Sequence, residues 1–238
     1  MQPSLTLIII APKIDRDLTR YLQAVKKFYD ELLVIDTSTT GPITDFAKLR
    51  NEALSQATST WVVFLDSDER ISREDFAELK EQIAQTTADG LYLCRSDVFY
   101  NQTLQFGEWG RVPILRAMRR AAATYHGVVH EVASISGSVE STTVAILHYA
   151  HLSITEFVAK VSRYAALAAA ARQASLFRLG AEICVYPIAK FILNYGIRRG
   201  FLDGWRGLAY ATLMSLHSFF VRAYGIAEHL RHENHPTT

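Results

Sequence analysis

The sequence predicts an α/β fold: a mostly parallel sheet flanked by helices over residues 1–150, then a helical C-terminal extension over 151–238. Three observations carry that reading. Short apolar runs rich in β-branched residues recur at Leu5–Ile10, Leu32–Ile35 and Trp61–Leu65, as in strands buried on both faces of a parallel sheet. Stretches with helical apolar spacing lie between them. Beyond residue 150 strand signals cease and Ala-rich and aromatic helical patterns take over.

Leu5-Thr6-Leu7-Ile8-Ile9-Ile10 opens the chain as a strand; it is short and has no basic stretch before it, so it is not expected to be a secretory signal. Leu18, Tyr21, Leu22, Val25 and Phe28 place one apolar face on a helix over 17–28. A second buried strand, Glu31–Ile35, ends at Asp36. Strand, helix and strand of this size form a parallel unit with a right-handed crossover. Residues 37–42 read as a turn, and 44–56 as a helix carrying Arg50 and Asn51.

The next strand, Trp61–Leu65, runs into Asp66-Ser67-Asp68-Glu69-Arg70, and Ser72 with Asp75 forms a capping box for a helix from Arg73 to about Ala84. Residues i and i+2 of an extended chain point the same way. Asp66 and Asp68 therefore present two carboxylates at the carboxyl end of a strand, the edge where open α/β sheets bind ligands, and Asp36 sits on the same rim. Neighbouring carboxylates repel unless a positive charge lies between them. A Mg²⁺ or Mn²⁺ ion held by carboxylates and substrate phosphates meets that need; a solvated acidic loop before a helix is the simpler reading of the pair alone.

Residues 90–100 form a further strand, with Asp97 near its edge. A loop-like stretch over 101–112 holds Trp109 between Gly107 and Gly110. Arg111, Arg116, Arg119 and Arg120 make a basic cluster, and His126, His130 and Glu131 come soon after. A short strand over 144–149 ends near His148 and His151.

Ser153 and Glu156 form a second capping box, expected to open a long helix to about Leu179 with Gly180 as its stop. A last helix is expected over 205–230. Fifteen uncharged residues separate Arg206 from Arg222. At about 1.5 Å each they span about 22 Å, short of the roughly 30 Å hydrocarbon core. With Thr212, Ser215, Ser218 and Arg222 as a polar stripe and Arg198, Arg199 and Arg206 nearby, the segment reads as lying on a membrane surface, the alternative being a helical subdomain packed on the 1–150 domain or on a second copy of the chain.

The chain has 238 residues, 49% hydrophobic and 21% charged, with net charge +1. The near-zero charge argues against a nucleic-acid binder. Residues 1–150 carry net −4 and residues 151–238 net +5, so the extension is the part suited to an anionic surface. Cys94 and Cys184 lack metal-type spacing and read as reduced thiols of a cytoplasmic protein.

Asp36, Arg50-Asn51, Asp66-Ser67-Asp68-Glu69-Arg70 and His130-Glu131, in that order, resemble family 2 glycosyltransferases of the Rossmann-like GT-A type. The likeness is closest to bacterial enzymes of lipopolysaccharide-core or other cell-envelope glycan synthesis. Gly200-Phe201-Leu202-Asp203-Gly204-Trp205-Arg206-Gly207 resembles the membrane-proximal helical tail of that group. The resemblance implies an inverting transfer from a nucleotide-sugar donor to a glycan or lipid-linked acceptor, at the cytoplasmic face of the inner membrane.

By the same resemblance Asp36 meets the base or ribose, while Arg50, Asn51, Arg116, Arg119 and His130 face the nucleotide-sugar. Asp68, with Asp66 and His148, holds Mg²⁺ or Mn²⁺, Asp66 also leaning toward the ribose. Glu131 is the expected catalytic base and Asp97 its competitor.

Two departures stand out. Ala11-Pro12-Lys13-Ile14-Asp15 replaces a Thr-Lys-Asn-Glu-like turn, and only thirteen residues separate Asp36 from Arg50. The shortened segment leaves a second reading, a degenerate, non-catalytic domain serving as a membrane-associated assembly partner. Phosphatases of the haloacid dehalogenase type also place Asp-x-Asp after an apolar strand. In those a small or β-branched residue comes next, whereas this chain has Glu69-Arg70.

Overall fold

The computed structural model of the chain describes residues 3–38, 45–127, 131–149, 153–172 and 174–234. It divides into two compact units, Met1–Ser96 with Val112–His148, and Asp97–Arg111 with Tyr149–Thr238. The second unit thus includes a stretch within the first 150 residues, beyond the 151–238 extension read from the sequence.

The elements succeed one another as β1 (Leu5–Ala11), α1 (Arg16–Val25), β2 (Glu31–Asp36), α2 (Phe46–Gln56), β3 (Trp61–Asp66), β4 (Glu69–Arg70), α3 (Arg73–Gln85) and β5 (Gly90–Phe99). After these come β6 (Gln102–Thr103), β7 (Val112–Arg119), β8 (Ala123–His126), β9 (Val132–Ile135) and β10 (Val139–His148). Each α-helix of the first unit begins at a side-chain cap. Asp15 accepts from the Leu18 amide at 2.7 Å, Asp45 from Lys48 at 2.9 Å and Ser72 from Asp75 at 3.0 Å, each worth about 1 kcal/mol.

Among the described residues the main sheet runs β2-β1-β3-β7-β5-β10-β4. β1 pairs in parallel with β2 and β3, whereas β7 returns antiparallel to β3, and β5 antiparallel to β7. β8 and β9 form a separate antiparallel hairpin. Most of the basic stretch 111–120, given no strand by its sequence, is β7. β2 lies at the sheet edge and is only half-buried, so its apolar run is not enclosed on both faces as expected.

Alternation along the strands sorts two cores. Leu7, Ile9, Val63, Leu65 and Ala117 face α1 and α3, through Leu18, Leu22, Phe76 and Leu79. Ile8, Ile10, Val62, Phe64 and Met118 face the other way, toward Ala53 and Leu54 of α2 and Tyr125 of the hairpin. Full enclosure of Trp61, Val63 and Leu65 explains their unbroken apolar run.

The second unit contains α4 (Ile154–Ala170), α5 (Leu176–Phe191) and α6 (Gly204–Asn234). Ser153 caps α4 as expected, accepting from Glu156 at 3.2 Å. The long helix expected to reach Leu179 stops at Ala170, because Ser175 starts a new helix by accepting from the Arg178 amide at 3.4 Å; Gly180 lies inside α5. Phe99, Leu104 and Trp109 share a core with Phe157, Val161 and Tyr210, which is why 97–111 belongs to this unit. A Cβ on Gly207 would stand 1.9 Å from the Gly200 carbonyl oxygen and one on Gly200 2.7 Å from that of Asn194, so these two glycines serve a close backbone crossing. Among the described residues no helix is long and apolar enough to cross a membrane.

Candidate active site

Parallel register builds the rim of the first unit. Ala11 lies opposite Asp36 on one side of β1, and Ile10 opposite Asp66 on the other, so both carboxylates leave the sheet at its carboxyl edge. Asp66 continues the face of Phe64 and Val62, which α2 and the β8–β9 hairpin cover. That face carries the charges.

Arg50, on α2, has only 4% of its side chain exposed. Its Nη2 donates to Asp66 Oδ1 at 3.1 Å and its Nε to Glu131 Oε1 at 3.3 Å. The guanidinium lies 5.3 Å from the Phe64 ring centre and 5.4 Å from that of Tyr125. Arg116, reaching from β7, donates through Nη2 to Asp66 Oδ2 at 2.6 Å and to Glu69 Oε1 at 2.9 Å. Arg50, Tyr92, Leu115, Arg116, Tyr125 and Glu131 all line one cavity of about 310 Å³.

These pairs set the electrostatics. Burial pushes the Asp66 carboxyl up, yet the Arg116 and Arg50 guanidiniums outweigh it and hold it below the ordinary carboxylate range. Burial opposes the charge of Arg116, but Asp66 and Glu69 raise its pKa further and keep it cationic. Desolvation pushes the Tyr125 phenol up to about 12 despite the neighbouring guanidiniums.

Asp68 stands in the turn after β3, and its Oδ2 lies 3.6 Å from Nε2 of His148 at the end of β10. The two aspartates expected to share a cation are therefore divided. Asp66 has a guanidinium on each oxygen, and Asp68 faces an imidazole. A Mg²⁺ or Mn²⁺ ion needs only one or two protein carboxylates when phosphate oxygens complete its shell. Asp68 and His148 fit that requirement, whereas both oxygens of Asp66 are engaged; among the described residues no three His, Cys, Asp or Glu side chains converge into a metal-binding group.

The remaining expected site residues separate. Asp36 is exposed and accepts from the Ser38 amide at 2.8 Å; the Ser38 hydroxyl first, and then this amide, lower its pKa. Asn51 does not face the cavity. Its amide nitrogen donates to the Tyr125 carbonyl at 2.9 Å and its oxygen accepts from the Tyr125 amide at 2.8 Å, pinning β8 to α2. Arg119 lies apart from the Arg50–Arg116 cluster. It pairs with Trp61 at the amino end of β3, stacking 5.2 Å from that ring and lying 3.5 Å from Asp89. Five strand steps separate Trp61 from Asp66, about 17 Å.

Asp97 also lies apart from that cluster. Its strand continues to Phe99, and its buried carboxylate accepts from Tyr210 in the second unit. His130 and His151 lie outside the described residues, as does the turn at 39–44. Sequence reasoning missed Glu69 as a site component. It reads as one more charge in a polar turn, yet its side chain has 0% exposure and contacts Arg116. Arg95, 3.7 Å from it, was missed as well.

An acidic rim beside buried arginines at the carboxyl ends of parallel strands defines a GT-A-type α/β domain. The chain belongs to glycosyl transferase family 2, whose model matches residues 18–141. Over 119 residues it is 30% identical to a TPR repeat-containing protein of Synechococcus elongatus, covering 43% of this chain and 27% of that one. The chain thus spans about a quarter of that relative's length.

Two solved structures with loose likeness are residues 1–349 of S. aureus TarS in complex with UDP-GlcNAc and the bifunctional IspDF of Campylobacter jejuni. The first is 16% identical with a TM-score of 0.37, over 68% of this chain and 65% of that one. The second is 12% identical with a TM-score of 0.39, over 58% and 49%.

Proposed function

We propose that the protein is an inverting glycosyltransferase that moves a sugar from a nucleoside-diphosphate donor to a hydroxyl of a cell-envelope glycan or lipid-linked acceptor. The observation that carries this reading is the convergence of Arg50, Arg116 and Glu131 around one cavity, with Asp66 paired to both arginines and the Asp68–His148 pair two residues further along the same turn. Membership of family 2 supports the donor class.

Glu131 acts as the base. It is 22% exposed, accessible enough to meet an acceptor hydroxyl, and Arg50 fixes its orientation. Glu131 takes the hydroxyl proton as the oxygen bonds to the anomeric carbon. The bond from that carbon to the diphosphate breaks on the opposite face, and the nucleoside diphosphate leaves. Arg116 and Arg50 turn from Asp66 toward the departing oxygens, where planar guanidiniums match phosphate geometry. Asp36, at the rim, faces the base or ribose. Asp68 and His148 would hold a Mg²⁺ or Mn²⁺ ion, which when bound would supply further positive charge to the diphosphate.

The second unit rests on the cytoplasmic face of the inner membrane. Exposed side chains such as Phe177 at 89%, Ile197 at 71% and Ile188 at 63% support this, with Arg178, Arg198 and Arg199 close by in sequence.

The test is transfer or hydrolysis of a panel of UDP-, GDP- and dTDP-linked sugars with Mn²⁺ or Mg²⁺, on the protein with and without Glu131→Gln. Donor-dependent turnover that falls at least about a hundredfold in the variant supports the reading. A protein that binds none of the donors supports the assembly-partner alternative instead.

A further inference from the structure

Glu69 is the one acidic side chain of the Asp-Ser-Asp-Glu turn that no solvent reaches. Its Oε2 accepts the Asp66 backbone N–H at 3.1 Å, closing the turn that presents Asp68. Its Oε1 accepts from Arg116 Nη2 at 2.9 Å and lies 3.7 Å from Arg95 Nη1. Its backbone pairs with His148 across β4 and β10. One residue therefore touches the turn, the strand bearing His148 and the arginine of the cavity.

A buried ion pair is a poor device for stability alone, because apolar residues of similar volume commonly serve as well. What distinguishes Glu69 is its contrast with Asp66. Arg116 Nη2 is shared between the two, but the Asp66 side chain is 36% exposed and Glu69 is fully enclosed. An arriving diphosphate can take the place of Asp66 on Arg116; it cannot take the place of Glu69. The geometry points to Glu69 as a positioning residue, the fixed counter-ion that keeps Arg116 aimed into the cavity while Asp66 exchanges with the donor. The inference rests on the donor-binding reading above and adds a residue that touches no ligand.

Two measurements on the full chain test it. The first is the NMR signal of the Arg116 guanidinium without any donor. It is resolved and slow to exchange in the unaltered protein, and averaged or lost in Glu69→Gln. The second is calorimetry with UDP in metal-free buffer. Glu69→Gln weakens binding about tenfold, the effect of one charge-assisted hydrogen bond, and changes it less than about twofold when added to Arg116→Gln, since the two act as a unit.

Unaltered Arg116 signals and unaltered UDP binding in Glu69→Gln overturn the proposal. So does a full tenfold loss that persists in the Arg116→Gln background. Where Glu69→Gln fails to fold, Glu69→Asp keeps the charge but shortens its reach. The same losses are then expected, and their absence overturns the proposal. If the unaltered protein binds no UDP, the donor reading fails, while the Arg116 signals still decide the role of Glu69.

Discussion

Replacing Arg50 by Met tests whether the charges of the first unit form a preassembled network. Methionine keeps the aliphatic stem but removes the guanidinium, which bonds Asp66 at 3.1 Å and Glu131 at 3.3 Å. Breaking a fully buried ion pair costs about 3–5 kcal/mol. Here Asp66 is 36% and Glu131 22% exposed, so both carboxylates regain water, and Asp66 keeps Arg116 at 2.6 Å.

The electrostatic loss is therefore about 2 kcal/mol, close to one hydrogen bond between charged groups. Loss of the guanidinium contacts with Phe64 and Tyr125 adds about 1 kcal/mol. Native-state amide exchange of β1 and β3 reads the opening free energy of this unit directly. About 3 kcal/mol corresponds to roughly 150-fold faster exchange at these strands. Acceleration below about threefold would refute the idea that Arg50 organises the site.

Three other outcomes are expected. Mn²⁺ binding, monitored by electron paramagnetic resonance with UDP present, weakens at least about tenfold in Asp68→Asn and less than about threefold in Asp66→Asn, since Asp66 is engaged by guanidiniums; the reverse order would restore Asp66 as the metal ligand. Arg119→Ala lowers stability by about 1 kcal/mol through its lost contacts with Trp61 and Asp89, yet leaves UDP affinity unchanged; a lost affinity would return Arg119 to the site.

The third outcome concerns pH. Burial, then the charge of Lys190, depresses the pKa of His217 below 6.5. A histidine with a depressed pKa binds fewer protons folded than unfolded. Its penalty is absent above pH 6.5 and grows as pH falls through that value toward the folded pKa. His217→Asn is expected to flatten the fall in stability below pH 6.5, and an unchanged slope would contradict this.

The strand-buried core was legible because full enclosure writes itself as unbroken apolar runs, and Leu5–Ile10 and Trp61–Leu65 became β1 and β3. Helix starts were legible where a cap supplies the signal, as at Ser72 and Ser153. Asp36 and Asp66 were placed on one rim because parallel register forces it. β7 was not legible as a strand, since its exposed and half-buried positions carry arginines and a proline.

The geometry of the site was not legible where residue type and a family resemblance were the guides. Arg116 and Arg119 stand three residues apart in one basic cluster, and only the antiparallel register shows that one reaches Asp66 and the other Trp61. Asn51 adjoins Arg50, but helical geometry turns it toward the Tyr125 backbone. The enclosure of Glu69 depends on β10, nearly eighty residues onward, and nothing local announces it.

Calorimetric titration of the full chain with UDP in the presence of Mn²⁺, repeated on Asp68→Asn and Arg116→Gln, bears most directly on the claim that a nucleotide diphosphate is gripped beside Asp68 and Arg116. Saturable one-to-one heat that weakens at least about tenfold in each variant is the expected result. Undiminished binding in both variants, or no heat with UDP, GDP or dTDP, would contradict it.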